Sequence, residues 1–132
     1  MVDVKNAPES GERLTTAQLK TSRFGCRATG IENNSDLARL ARERIRASAA
    51  SDRMRVIESD AAGSIPDDAT VVFLFLPAPD ISSMLGNLMN VLLPGARVIA
   101  HEHSRIGTDI PPERRSLLAG EMSVTVASLW RV

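Results

Sequence analysis

Two acidic residues have the placement most suggestive of chemistry in this chain of 132 residues. Glu32 closes the run Gly30-Ile31-Glu32, and Asp60 closes Val56-Ile57-Glu58-Ser59-Asp60. In an open parallel sheet the carboxyl ends of successive strands share one edge, and ligands bind along it. A carboxylate accepts two hydrogen bonds from a vicinal diol. One acid therefore suits the ribose hydroxyls of a nucleoside and the other its base. Such sites also use a glycine turn about 20 residues ahead of the first acid, where the backbone closely approaches the ligand. Gly11 lies at that spacing, and it is the one glycine in the stretch from Asp3 to Arg13.

A second group of residues follows later strand-like runs. Leu76-Pro77-Ala78-Pro79 ends the apolar stretch Val71 to Leu76, and His101-Glu102-His103 follows Ala96 to Ala100. On a strand, His101 and His103 point to the same face. Two histidines fall short of a zinc site, and no third ligand is evident, so no metal is expected. Cys26, the only cysteine, excludes an internal disulfide and has no neighbouring pattern of a nucleophile.

Whole-chain composition narrows the classes. Sixteen Lys and Arg balance sixteen Asp and Glu. That balance argues against a nucleic-acid partner and against a basic membrane surface. The arginines at 39, 42, 44 and 46 are interleaved with Asp36 and Glu43 and read as a solvated helix face. The polar start, Met1 to Ser10, is not a signal peptide, and the longest apolar run is too short to span a bilayer. The reading is a cytoplasmic protein of undetermined oligomeric state, with a single domain over residues 1–132. Aromatic residues are only 3% of the chain, so the core must be aliphatic.

The elements that must position these residues follow from periodicity. Val2-Asp3-Val4 reads as a very short strand and Arg13 to Arg23 as a helix with a thin apolar stripe. Cys26 to Ile31 is a strand. Ser35 is the expected N-cap of a helix over Asp36 to Ala50, with Leu37, Leu40, Ala41 and Ile45 on its apolar face. Met54 to Ile57 is the next strand. Val71 to Leu76 is a continuous apolar strand of the kind covered on both faces. Asp80 is the expected cap of a helix over Ile81 to Leu93, and Pro94-Gly95 makes a turn. Ala96 to Ala100 and Ser123 to Val132 are the last strands, with an irregular loop between them and Trp130 anchoring the second. The order β-α-β-α-β-loop-β-α-β-loop-β means an α/β sheet, mostly parallel, with right-handed crossovers.

These pieces resemble class I S-adenosylmethionine-dependent methyltransferases. The matching stretches are Phe24 to Glu32, Val56 to Ala61, Thr70 to Pro77 and Leu92 to Ile99, in the family's order. The likeness is nearest to small bacterial methyltransferases related to the protein-lysine group. It covers residues 24–103 best, and residues 1–23 form a divergent or truncated front. It implies a Rossmann-like, mostly parallel sheet with helices on both faces, a first strand short or missing, and an antiparallel C-terminal edge strand. The implied cofactor is S-adenosylmethionine. By resemblance, Glu32 binds the ribose, Asp60 and the Ala61 amide bind adenine, and Gly11 and Leu76 complete the cofactor contacts. Pro77, Glu102 and His103 would meet the substrate, and no catalytic base is nominated. The family's glycine-rich turn is reduced here to Gly11. Nucleobase-methylating relatives place a polar residue before paired prolines and an aromatic, a pattern absent at Leu76-Pro77. The implied activity is methylation of an amine, with a protein lysine as candidate. The competing reading is a non-catalytic remnant serving as an interaction module.

Overall fold

The computed structural model describes residues 25–49, 51–102, 106–119 and 124–132. The chain divides at Ile65 and Pro66 into two compact units. The expected strand Val2 to Val4, the helix Arg13 to Arg23, Gly11 and His103 lie outside the described residues.

The N-terminal unit is built from β1 (Ala28–Glu32), α1 (Ser35–Arg46) and β2 (Met54–Glu58). β1 and β2 pair in parallel, with Ala28 opposite Met54 and Glu32 opposite Glu58. Parallel neighbours need a crossover, and α1 provides it by packing on both strands. Its inward residues are Ala38, Ala41 and Ile45. Leu37 and Leu40, placed on that face from the sequence, are each 39% exposed. The small alanines at positions 38 and 41 let the helix backbone approach the sheet, which turns the two leucines toward the flank.

The C-terminal unit carries β3 (Val71–Leu74), α2 (Ala78–Val91), β4 (Arg97–Glu102), β5 (Arg114–Ala119) and β6 (Val124–Arg131). Its strand order is β3-β4-β6-β5. β3 and β4 are parallel, whereas β6 runs antiparallel to both β4 and β5. The C-terminal strand is thus antiparallel, as expected, but it lies inside the sheet. The outer position belongs to β5, within the span read as a loop. Arg114-Arg115-Ser116 gives little alternation of apolar and polar residues, and pairing with β6 supplies what local propensity lacks.

One face of this sheet forms the core. Val72, Leu74, Val98, Ala100 and Trp130 are buried, as are Ile81, Met84, Leu85 and Leu88 of α2. Each such large aliphatic side chain contributes roughly 1.5–3 kcal/mol of burial free energy. β3 stops at Leu74, two residues earlier than expected, and Val71 and Phe73 are only half-buried. Between α2 and β4, Gly95 sits at φ 89° in a turn closed by Ala96 N–H donating to the Leu93 carbonyl. Proline then glycine at the centre is what a type II turn requires. Among the described residues no helix is long and apolar enough to cross a membrane.

Candidate functional site

The carboxyl ends of β1 and β2 bring Glu32 and Asp60 to one edge of the N-terminal unit. Ser59 N–H donates to the Glu32 carbonyl at 3.0 Å, extending the ladder one residue past β2. Asp60 is the next residue, so the two acids leave neighbouring strands at the same end.

Glu32 is the unusual member. It is 2% exposed, in a position where a carboxylate is seldom found without a partner. Its Oε1 accepts a hydrogen bond from the Asn34 backbone N–H at 3.0 Å. Its buried Oε2 has no hydrogen-bond partner among the described residues. One backbone donor therefore orients the carboxylate, and the other oxygen is left as a directed acceptor. Such an unmet buried acceptor costs about 1–3 kcal/mol, and more where it is charged. A hydroxyl delivered by a ligand would offset that cost, which fits the diol role expected of Glu32.

Asp60 has a local duty as well. It is exposed and caps the short 3-10 turn Ala61–Gly63, its Oδ1 accepting from Ala62 N–H at 3.2 Å. The turn presents Ala61, half-buried, as its first residue, where helical turns leave backbone donors unmet. An aspartate and an adjacent amide at a strand exit can offer an acceptor and a donor to a purine edge.

The support behind these residues corrects two sequence-based expectations and adds one residue. Asn34, not Ser35, caps α1, with its side-chain oxygen accepting from Asp36 N–H at 3.0 Å and Leu37 N–H at 3.1 Å. Ser35 instead donates to Glu58 Oε1. Arg42 also reaches Glu58, at 3.7 Å, so Glu58 fastens β2 to α1. Asn34 was legible in principle: an Asx residue between a strand-closing acid and a helix is a capping signal. In the C-terminal unit the cap of α2 is Pro77, not Asp80, and the helix begins at Ala78 with Pro79 in its first turn. Proline there forfeits no helical hydrogen bond.

The remaining candidates sit in the C-terminal unit. Leu76 is half-buried and Pro77 exposed, just past β3. Glu102 is the last residue of β4, opposite Val126 of β6. β3 and β4 are parallel, so Leu76, Pro77 and Glu102 occupy the carboxyl end of one strand pair. Between them lies a contact that sequence reasoning missed. Phe75 and His101 stack with ring centroids 4.7 Å apart and planes 11° apart. His101 Nε2 also shares a hydrogen bond with Thr125 Oγ1 at 3.0 Å. Parallel register puts residue 75 level with residue 101, but pairing across strands 26 residues apart has no local sequence signal.

No family model matches the sequence, and no curated protein does either. Solved structures do match. An RNA methyltransferase from Salinibacter ruber in complex with S-adenosyl-L-homocysteine is 24% identical, with a TM-score of 0.74 over 87% of this chain and 71% of that one. TrmN from Thermus thermophilus is 16% identical, with a TM-score of 0.70 over 88% of this chain and 40% of that one. An O-methyltransferase from Bacillus cereus, in complex with S-adenosylhomocysteine, is 15% identical, with a TM-score of 0.61 over 78% of this chain and 61% of that one. The fold is that of the class I methyltransferases. The chain spans 40% to 71% of the length of these three structures.

Proposed function

We propose that this protein binds S-adenosylmethionine and transfers its methyl group to an amine, with a protein lysine as the candidate acceptor. The observation that carries the reading is the buried Glu32 carboxylate, oriented by Asn34 N–H and left with one unmet oxygen. Glu32 would take the ribose diol, and Asp60 with the Ala61 amide would take the adenine. Gly11, from its spacing to Glu32, and Leu76, from the family resemblance, complete the proposed cofactor contacts; Pro77, from the resemblance, and Glu102 and His103, from their place at the end of a strand, are the proposed substrate contacts. Bound S-adenosylmethionine would supply an electrophilic methyl on a sulfonium; a neutral amine takes it as the sulfur–methyl bond breaks, S-adenosylhomocysteine leaves, and the methylated amine keeps its positive charge or gives a proton to solvent. The chain's own task is then orientation and exclusion of water, which can supply much of the rate. The apolar Leu76-Pro77 pair is suited to that task, and no base is assigned.

The amine acceptor is supported by the resemblance of Leu76-Pro77 to the protein-lysine group. Among the similar structures are an RNA methyltransferase and an O-methyltransferase, so the test must separate acceptors. Titration calorimetry with S-adenosylhomocysteine should give saturable binding. No heat at about 1 mM ligand, equivalent to less than about 4 kcal/mol of affinity, would overturn the reading and leave the non-catalytic one. Transfer of labelled methyl to lysine-bearing protein supports the amine. Transfer to RNA alone overturns the acceptor while keeping the cofactor.

A further inference from the structure

Glu32 does not stand alone at its end of the sheet. The parallel register sets Glu32 opposite Glu58, so the two carboxyl side chains leave the same face of neighbouring strands. Such strands lie about 4.8 Å apart. A like charge at that range disfavours the charged form of a carboxyl, and burial disfavours it further. Glu32 is 2% exposed. An uncompensated Glu58 would therefore oppose the ionised form of Glu32, the form with most to offer a diol.

The structure answers with a cation. Arg42 of α1 lies 3.7 Å from Glu58 Oε2. Its Nε donates to the Val56 carbonyl at 3.3 Å, which holds the guanidinium against β2. The other oxygen of Glu58 accepts from Ser35 Oγ. The four arginines of α1 read from the sequence as a solvated face, and Arg39 fits that description, paired on the helix surface with Glu43. Arg42 departs from it and serves the strand end. Asp36 and Asp60, the other described acids at this edge, are exposed and add negative charge.

We propose that Arg42 is a positioning residue for the cofactor site: by neutralising Glu58 it keeps the buried Glu32 ionised, ready to accept from the ribose hydroxyls. Its influence on the ligand passes through Glu58 and Glu32. The Arg42 and Glu58 side chains are 39% and 42% exposed, so water screens part of the interaction and the effect is moderate. The ribose as ligand rests on the methyl-transfer reading. The charge balance among Arg42, Glu58 and Glu32 does not.

The NMR resonance of the Glu32 side-chain carboxyl, followed against pH in ligand-free protein, tests the charge balance. Arg42→Met should make Glu32 take up its proton at a higher pH than in the parent. Adding Glu58→Gln to Arg42→Met should restore the parent's behaviour, and Arg42→Lys should stay near it. Calorimetry with S-adenosylhomocysteine tests the consequence. Arg42→Met should weaken binding roughly fivefold at about pH 7, and more at about pH 6, with circular dichroism unchanged. Glu58→Gln alone should hold the affinity or raise it, because it removes the opposing charge. A loss of affinity shared by both single variants would mean that the pair only fastens α1 to β2, and would overturn the proposal. A Glu32 titration that Arg42→Met leaves in place would overturn it as well. No binding by the parent overturns the methyl-transfer reading instead, and the resonances still decide the charge balance.

Discussion

Glu32 and Trp130 both carry polar atoms and are buried to nearly the same depth, and they are treated in opposite ways. Glu32, in the N-terminal unit, is 2% exposed and keeps one carboxylate oxygen without a partner among the described residues. Trp130, in the C-terminal unit, is 1% exposed, and its indole Nε1–H donates to the Ile110 carbonyl at 2.9 Å. An indole has one donor, so Trp130 is fully satisfied. Its ring fills the core, and its hydrogen bond ties the segment before β5 to the sheet. A buried polar group that is fully met is part of the scaffold, whereas one that is half met invites a ligand. On the proposed reading, the Trp130 region supplies stability and the Glu32 region ligand recognition.

Replacement of each residue can break that assignment. Trp130→Ala should have the largest effect, with about 3–5 kcal/mol lost in urea denaturation from cavity formation. Trp130→Phe should recover most of the packing and lose only about 1 kcal/mol for the missing hydrogen bond. Glu32→Gln should leave the urea midpoint unchanged or raise it, because it removes a buried charge. The same variant should weaken S-adenosylhomocysteine roughly ten- to a hundredfold in calorimetry, as expected for charge-assisted bonds worth about 1.5–3 kcal/mol. If Glu32→Gln destabilised the fold as Trp130→Ala does, the contrast between the two regions would collapse.

The same two regions differ in how well they could be read beforehand. The β1-α1-β2 unit follows local rules: apolar runs, an amphipathic helix and acids at strand ends. The position of Glu32 and Asp60 at the ends of neighbouring strands was legible because strand exits are a fixed place in such units. The error at the α1 cap was one residue wide, since Asn34 and Ser35 are both good caps and backbone geometry chooses between them. The C-terminal unit depends on distant pairing. β5 carries two arginines and becomes a strand only because β6 offers it a partner. The Phe75–His101 stack requires parallel register between β3 and β4, which no short window encodes. The unmet oxygen of Glu32 is likewise a property of packing and cannot be read from residue type.

Smaller changes sharpen the comparison. Asn34→Ala removes the α1 cap and should cost about 1 kcal/mol, measured by urea denaturation. Asn34→Asp preserves an oxygen acceptor at the cap and should cost less. In both variants the backbone N–H that orients Glu32 remains. Affinity for S-adenosylhomocysteine should therefore fall less than in Glu32→Gln, and a larger fall would mean that the cap positions the carboxylate.

The smallest effect is expected at the surface pair of the C-terminal unit. Arg131 donates to Glu113 at 3.0 Å and 3.3 Å. That hydrogen bond, followed by the charges of Arg131 and Arg114 and opposed by desolvation, holds the Glu113 carboxyl below its ordinary range. A carboxyl lowered on folding contributes stability above the unfolded value, about 4.3, and loses it as pH falls through the lower folded value. Both side chains are about half exposed, so water and salt screen the pair. Glu113→Gln should therefore lower the thermal midpoint only slightly at neutral pH, and the difference from the parent should vanish in strong acid. A large loss at neutral pH would show that the scaffold of the C-terminal unit relies on its surface charges as well as on Trp130.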